Sequence, residues 1–383
     1  MRVLPDRPRL YCVILLSTLA SLVLIDRSAA LLLRPERTFF RGWEYVAGAG
    51  HYNIARKSLT HVQDEYGDLG NMLGVGRLKQ WRHNAYTMDD EGYRNAHGTK
   101  RSDAPVLLVG DSFIAGVGNT DDDTFAVQLE RSADRDVEPY VPGDLSLLLL
   151  EHRLSLAASG SLIVWGRVER NLTGEDSEMQ AWLRTSSCPV LTERERRSRE
   201  VKLWVKRLIG GVVEYVHISP LRRAGQGIFQ ELRFALTGGH ATPVIPAEDG
   251  SDLLFFAKDV RLLGQDAAAR RLTDVAQSIS HARNCLAERG LRLLFVPIPD
   301  KSHIETVHVP QSLRPSIPLS PDPLDILQRE LRLRGIATVD LLPAFQSATE
   351  KELLYWKDDT HWNAAGIRIA TEETANVLKD MIR

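Results

Sequence analysis

The stretch "APVLLVGDSFIAGVG" (Ala104 to Gly118) runs from an unbroken apolar segment straight into Gly110, Asp111 and Ser112. A short run of branched aliphatic residues that stops at turn formers predicts a strand buried on both faces. Such strands belong to parallel sheets. Working outward, "TFAVQLERSA" has helical spacing, and "SGSLIVWGRVERN" (Ser159 to Asn171) reads as a second buried strand with a polar end. A helix around Asp266 to Arg289 leads through Gly290 into "LRLLFVPIP", a third strand. "DILQRELRLRG" followed by "IATVDLLPAF" repeats helix, glycine, strand. The last helix is expected to begin near Asn363, a good N-cap residue, and to run towards Met381. This alternation predicts an α/β fold with a parallel sheet between helical layers.

In an open parallel sheet, ligands bind beyond the carboxyl ends of the strands. The residues that follow the predicted strands should therefore converge: Gly110-Asp111-Ser112, then Glu169, Arg170 and Asn171, then Asp300-Lys301, then "KDDTHWNAAG" (357–366). A serine becomes a nucleophile when a histidine takes its proton and a carboxylate orients that histidine. Ser112 and His361 are the best such pair. Asp359 and Asp358 both compete for the second ring nitrogen. Asp111 reads as a loop-organising acceptor, and Trp362 as a packing residue. The "TDDD" run (Thr120 to Asp123) lacks the spacing and glycine of a calcium loop and reads as a helix-capping loop. Asp359 and His361 show no third ligand at a telling spacing, so neither a metal nor another cofactor is expected.

Lys and Arg total 48 against 50 for Asp and Glu in 383 residues, a balance that gives no footprint for nucleic acid. The N-terminus departs from this ordinary composition. After "MRVLPDRPR" comes "LYCVILLSTLASLVLI" (Leu10 to Ile25), uncharged and largely apolar, which "SAALLL" extends beyond Asp26 and Arg27. A signal anchor over residues 1–35, with its basic end in the cytoplasm, is the leading expectation. A signal peptide cleaved near Ser28 to Ala30 is the alternative. Both export the remaining chain. Cys12 lies in the apolar stretch, which leaves Cys188 and Cys285 either disulfide bonded or as buried thiols. Residues 36–103 read as a stem or small packed lead-in, and about 172–265 as an insertion that breaks the alternation.

"VLLVGDSFIAGVG" together with "DDTHWNAAG" resembles the SGNH (GDSL) hydrolases, whose first block carries the serine in a Gly-Asp-Ser turn and whose last carries the acid and histidine. The resemblance implies a three-layer α/β/α domain over 104–383. "YVPG" (Tyr140 to Gly143) looks like the second block and would make the Gly143 amide an oxyanion donor. The usual third block, Gly-x-Asn-Asp, is replaced by "VWGRVERN". That departure, with "GYRN", "VPIPDK" and "DTHWN", is similar to the alginate O-acetyltransferase subgroup of exported, membrane-associated SGNH proteins. The subgroup implies acetyl transfer to an envelope or extracellular polysaccharide through acetyl-Ser112, with acetyl groups supplied by a membrane acyltransferase partner. It selects Asp359 over Asp358 as the acid, while Arg170 and Lys301 become candidates to bind substrate or the oxyanion. A carbohydrate acetyl esterase with the same triad and a non-catalytic glycan-binding or scaffold subunit are the competing readings.

Overall fold

The computed structural model describes residues 7–32, 56–101, 104–150, 160–173, 219–237, 243–262, 268–314 and 322–382, with isolated positions at 43, 46, 182, 188, 194, 197, 198, 201, 202 and 205. Helix α1 (Arg7–Leu32) precedes a hairpin of β1 (Leu59–Glu65) and β2 (Arg82–Met88) that encloses α2 (Asp68–Leu73). Next come β3 (Val106–Gly110), α3 (Phe125–Ala133), β4 (Val137–Tyr140), α4 (Leu145–Leu150), β5 (Leu162–Val168) and α5 (Glu169–Thr173). Helix α6 (Pro220–Thr237), a second hairpin of β6 (Val244–Pro246) and β7 (Leu254–Phe256), and α7 (Ala257–Leu262) lead to α8 (Ala268–Ala287) and β8 (Arg292–Ile298). The chain closes with α9 (Lys301–Ile304), α10 (Pro323–Leu333), β9 (Ala337–Thr338), α11 (Leu342–Thr349) and α12 (Ala364–Ile382).

Five strands form one parallel sheet in the order β4-β3-β5-β8-β9. Period-two alternation makes each central strand two-faced. Val106 and Leu108, Leu162 and Val164, and Leu294 and Val296 pack on one side with Phe125 and Leu129 of α3 and Ile367 and Leu378 of α12. Leu107 and Val109, Ile163 and Trp165, and Leu293 and Phe295 pack on the other with Leu272 and Ile279 of α8 and Leu331 of α10. The chain is thus a mixed α/β protein whose central strands lie between two helical layers.

Two elements differ from the sequence reading. The short β4 strand was not expected. Its "VEPY" carries a proline and a glutamate, which an edge strand tolerates. The fourth expected strand is only Ala337–Thr338, and "LLPAF" turns into α11, with Pro343 in the first turn, where the missing amide costs no helical bond. Cys188 and Cys285 are joined in a disulfide across 97 positions. Much of the interval 172–265 lies outside the described residues. Its described end, β6–β7, packs Val244 and Leu254 against Leu69, Leu73, Val75 and Leu78 of the lead-in. Within α1, Pro8–Ala30 is 23 residues of mean hydropathy 1.9, long and apolar enough to cross a membrane, a property it shares with signal sequences.

Candidate active site

Ser112 follows β3 at the carboxyl edge of the sheet, and His361 lies just before α12, where the Asn363 Oδ1 accepts from the Ala365 and Gly366 amides. That cap fixes the approach of the chain to the helix. The fold brings the two residues together across 249 positions, with His361 Nε2 2.8 Å from Ser112 Oγ. His361 Nδ1 lies 2.7 Å from Asp359 Oδ1, which also accepts the His361 amide at 3.1 Å. A carboxylate oxygen can only accept, so Nδ1 bears the proton and neutral Nε2 accepts the serine hydroxyl. Trp362 turns inward, donating Nε1–H to the Phe113 carbonyl and stacking on Phe125.

Asp358 faces away from the histidine, into the lead-in. Its Oδ2 accepts the Gly67 and Gln80 amides at 2.7 and 2.9 Å. Its carbonyl accepts the Gly70 amide. The approach is so close that a Cβ at position 67 would sit 2.0 Å from the Asp358 carbonyl oxygen, which leaves room for glycine alone. Arg82 of β2 joins the two acids, Nη1 donating to Asp358 and Nη2 to Asp359, each at 2.9 Å. Burial opposes its charge, and Asp359 and Asp358 outweigh that penalty, so the guanidinium is held above its ordinary pKa. Asp359 Oδ2 takes the Arg82 bond and lies 3.3 Å from the Asp68 amide, while Oδ1 is left to the histidine. Asp68 in turn accepts the Thr360 amide and hydroxyl. Asp68, Asp359 and His361 bring a ligand-type atom each within 4.8 Å, a third neighbour that spacing alone did not reveal. Of these three, the Asp359 carboxylate meets the His361 ring, and the Asp68 carboxylate meets Thr360.

A second lead-in arginine secures the serine side. Arg94 is 2% exposed and donates to the carbonyls of Ala115, Gly116, Asn119 and Ala85 while lying over the Tyr86 ring. Asp111 organises the turn itself, accepting the Phe113 amide on one oxygen and the Val168 amide and Asn171 side chain on the other.

The structure gives the three remaining candidate residues protein partners. The Gly143 amide donates to the Gly110 carbonyl at 2.8 Å, so it ties two loops together instead of facing an oxyanion. Arg170 pairs with Asp259 and Asp300 and reaches Thr360 Oγ1, its plane over Phe113. Burial disfavours its charge, but Asp300 and Asp259 overcome this and raise its pKa, as in a structural ion pair. Lys301 Nζ donates to the carbonyls of Trp356, Lys357 and Asp359 at 2.7, 2.9 and 3.1 Å. Those three bonds use all the donors of an ammonium group, so Lys301 clamps the acid loop from below. Its complete burial pulls its pKa down to about 8 despite Asp359 and Asp358 nearby. The sequence reading had no role for Arg82, Asp68 or Arg94. The only signal was "GYRN", which carries Arg94 and entered by resemblance alone.

Residues 248–382 match the family described as SGNH hydrolase-like domain, acetyltransferase AlgX. That span holds Lys301, Asp358, Asp359 and His361 and begins after Ser112. A probable alginate O-acetylase AlgJ of Pseudomonas syringae pv. tomato (strain ATCC BAA-871 / DC3000) is 24% identical over 157 residues, 40% of this chain and 38% of that relative. The chain therefore spans well under half the length of the curated relative it matches. A solved structure aligned over 73% of this chain and 97% of its own, at 11% identity, has a TM-score of 0.31, too low to carry an argument. Residues 248–382 are thus similar to the SGNH hydrolase-like domain of the acetyltransferase AlgX family.

Proposed function

We propose that the chain is an exported O-acetyltransferase that acetylates a polysaccharide through an acetyl-Ser112 intermediate. The observation that carries this reading is the continuous set of contacts from Ser112 Oγ to His361 Nε2 and from His361 Nδ1 to Asp359, in a chain similar to an alginate O-acetylase. In this reading, Ser112 Oγ attacks the carbonyl carbon of a donor acetyl ester while His361 Nε2 takes the hydroxyl proton. Asp359 stabilises the imidazolium and keeps the ring in place. The tetrahedral intermediate collapses, the leaving oxygen takes the proton back from Nε2, and the acetyl group remains on Ser112. In the second half, Nε2 removes a proton from a sugar hydroxyl, whose oxygen attacks the acetyl carbon. Collapse then releases the acetylated glycan, and Ser112 Oγ recovers its proton from His361.

The Ser112 backbone amide, which donates to no described residue, is the candidate oxyanion donor at the start of its turn. One preorganised donor is typically worth about 3 kcal/mol in the transition state. Residues 1–35 act as the anchor, 36–103 as a lead-in that braces the site, and 104–383 as the catalytic domain with its insertion at about 172–265. A membrane acyltransferase partner supplies the acetyl group on the outer side of the membrane.

The test incubates the full-length protein in detergent with a small acetyl ester and with alginate or other acidic glycans, followed by peptide mass analysis. Acetyl on Ser112 with O-acetylated glycan is the expected result. Acetyl on Ser112 with free acetate alone assigns hydrolysis, and no acetyl-Ser112 under any donor overturns the serine mechanism.

A further inference from the structure

Helix α6 has two unlike faces. One is seated on the body, where Gln230 Nε2 donates to the Met72 carbonyl, the Gly76 amide donates to Glu231 Oε1, and Phe234 packs beside Leu69 and Leu73. The other carries Leu221, Ile228, Phe229, Leu232 and Leu236, between 42% and 77% exposed. At 3.6 residues per turn these five fall within an arc of about 100°. A single exposed apolar residue needs no explanation, whereas a continuous stripe marks a surface that something covers.

Its neighbour identifies what covers it. Ser219 Oγ and the Leu221 amide donate to Asp26 Oδ1 at 2.9 and 3.0 Å, so the start of α6 is fastened to α1. Asp26 is the residue that ends the apolar run Leu10 to Ile25. It and Ala30 are buried, while residues 8–24 of α1 are exposed along their whole length. With α1 across a bilayer, this attachment point sits where the hydrocarbon gives way to headgroups. A helix that begins at that level with an apolar stripe on one side and a body-facing polar side has the form of an interfacial helix.

We infer that α6 is a membrane-surface helix whose Leu221, Ile228, Phe229, Leu232 and Leu236 stripe lies in the leaflet at the C-terminal end of α1. This rests on the anchor reading of α1. The same helix touches α2 through Gln230 and Met72, and Asp68 of α2 bonds Thr360 in the acid loop. The membrane contact is thus joined through one short helix to the loop of Asp359 and His361, which places the Ser112 site beside the bilayer, within reach of a membrane-bound acetyl donor.

The test uses full-length protein in phospholipid vesicles, with Cys12→Ser removing the native free thiol. Single cysteines at Leu232→Cys, at Leu16→Cys within α1 and at Val307→Cys on another exposed turn carry an environment-sensitive fluorophore. The expected result is a blue shift at position 232 and loss of its emission with lipids that bear a quencher near the headgroup, with position 307 unaffected. An unshifted probe at 232 beside a lipid-quenched probe at 16 overturns the inference and leaves the anchor reading standing. A blue-shifted probe at 232 that lipid quenchers do not reach assigns the stripe to a protein and also overturns it. A probe at 16 that lipid quenchers do not reach removes the anchor reading, and the inference with it.

Discussion

The loops at the carboxyl ends of the parallel strands and the hairpin that precedes the sheet meet at the same point but contribute different things. The strand-end loops bring Ser112, Arg170, Lys301 and the Asp359 to His361 turn to one edge, as the topology of an open parallel sheet requires. The β1–β2 hairpin and α2 bring no group to Ser112 Oγ. They hold the loop that carries Asp359 and His361, with Arg82 across the two acids and Asp68 on Thr360, while Arg94, beyond β2, holds the serine loop. The difference teaches that the sheet edge sets where the site lies, while contacts from the lead-in, up to 292 positions away for the acid loop, set how its side chains are held.

The largest effect should come from breaking the strand-end half. Ser112→Ala is expected to abolish acetyl-enzyme and lower kcat on the order of 10⁴-fold or more, measured by acetyl release from a small ester. Asp359→Asn follows, with a loss of about 10⁴-fold in kcat, because an amide in that place favours the wrong tautomer of His361. Asp358→Asn sharpens the comparison. It leaves the bond of His361 to Asp359 intact and should act mainly on stability through Gly67, Gln80 and Arg82. Equal kcat losses for the two asparagine variants would erase the distinction between the acids.

On the hairpin side, Arg82→Met leaves two buried carboxylates without their cation, expected to cost about 3 to 5 kcal/mol in denaturant unfolding together with a lower kcat. Arg82→Lys keeps the charge but not the fork that spans both acids and should recover only part of the loss. An Arg82→Met protein with unchanged stability and kcat would show the hairpin to be a passive stem.

The smallest effect concerns Lys301. Between about pH 8 and the ordinary lysine pKa near 10.4, the unfolded chain holds a proton that the folded chain has shed. Unfolding free energy should therefore gain from this residue as pH rises through that window, by up to about 1.4 kcal/mol per pH unit. Below pH 8 both states are protonated and the slope vanishes. Lys301→Met should lack this increment in urea melts taken across the window, and an identical pH dependence in both proteins would refute the assignment.

Much of the fold was legible because it rests on local signals. Unbroken aliphatic runs ending in turn residues marked β3, β5 and β8, and Asn363 marked the start of α12. The run "IATVDLLPAF" was misread because a short apolar segment has no periodicity that separates a strand from a buried helix. In the site, the residue types and chain order of Ser112 and His361 were legible. The burial and partners of Arg170 and Lys301 were not, since a basic residue after a strand looks the same whether it faces substrate or the backbone of a neighbouring loop.

The sequence by itself determined the alternation of strands and helices, the apolar N-terminal helix and the residues offered at the sheet edge, since each depends on the side chains of a dozen neighbouring positions. Only the tertiary structure decided that Asp359 and not Asp358 meets His361 Nδ1, that the Gly143 amide is bonded to Gly110, and that a lead-in hairpin braces the acid loop. These outcomes depend on hydrogen-bond direction and on the close approach of Gly67 to Asp358, which arise when segments 291 positions apart pack together.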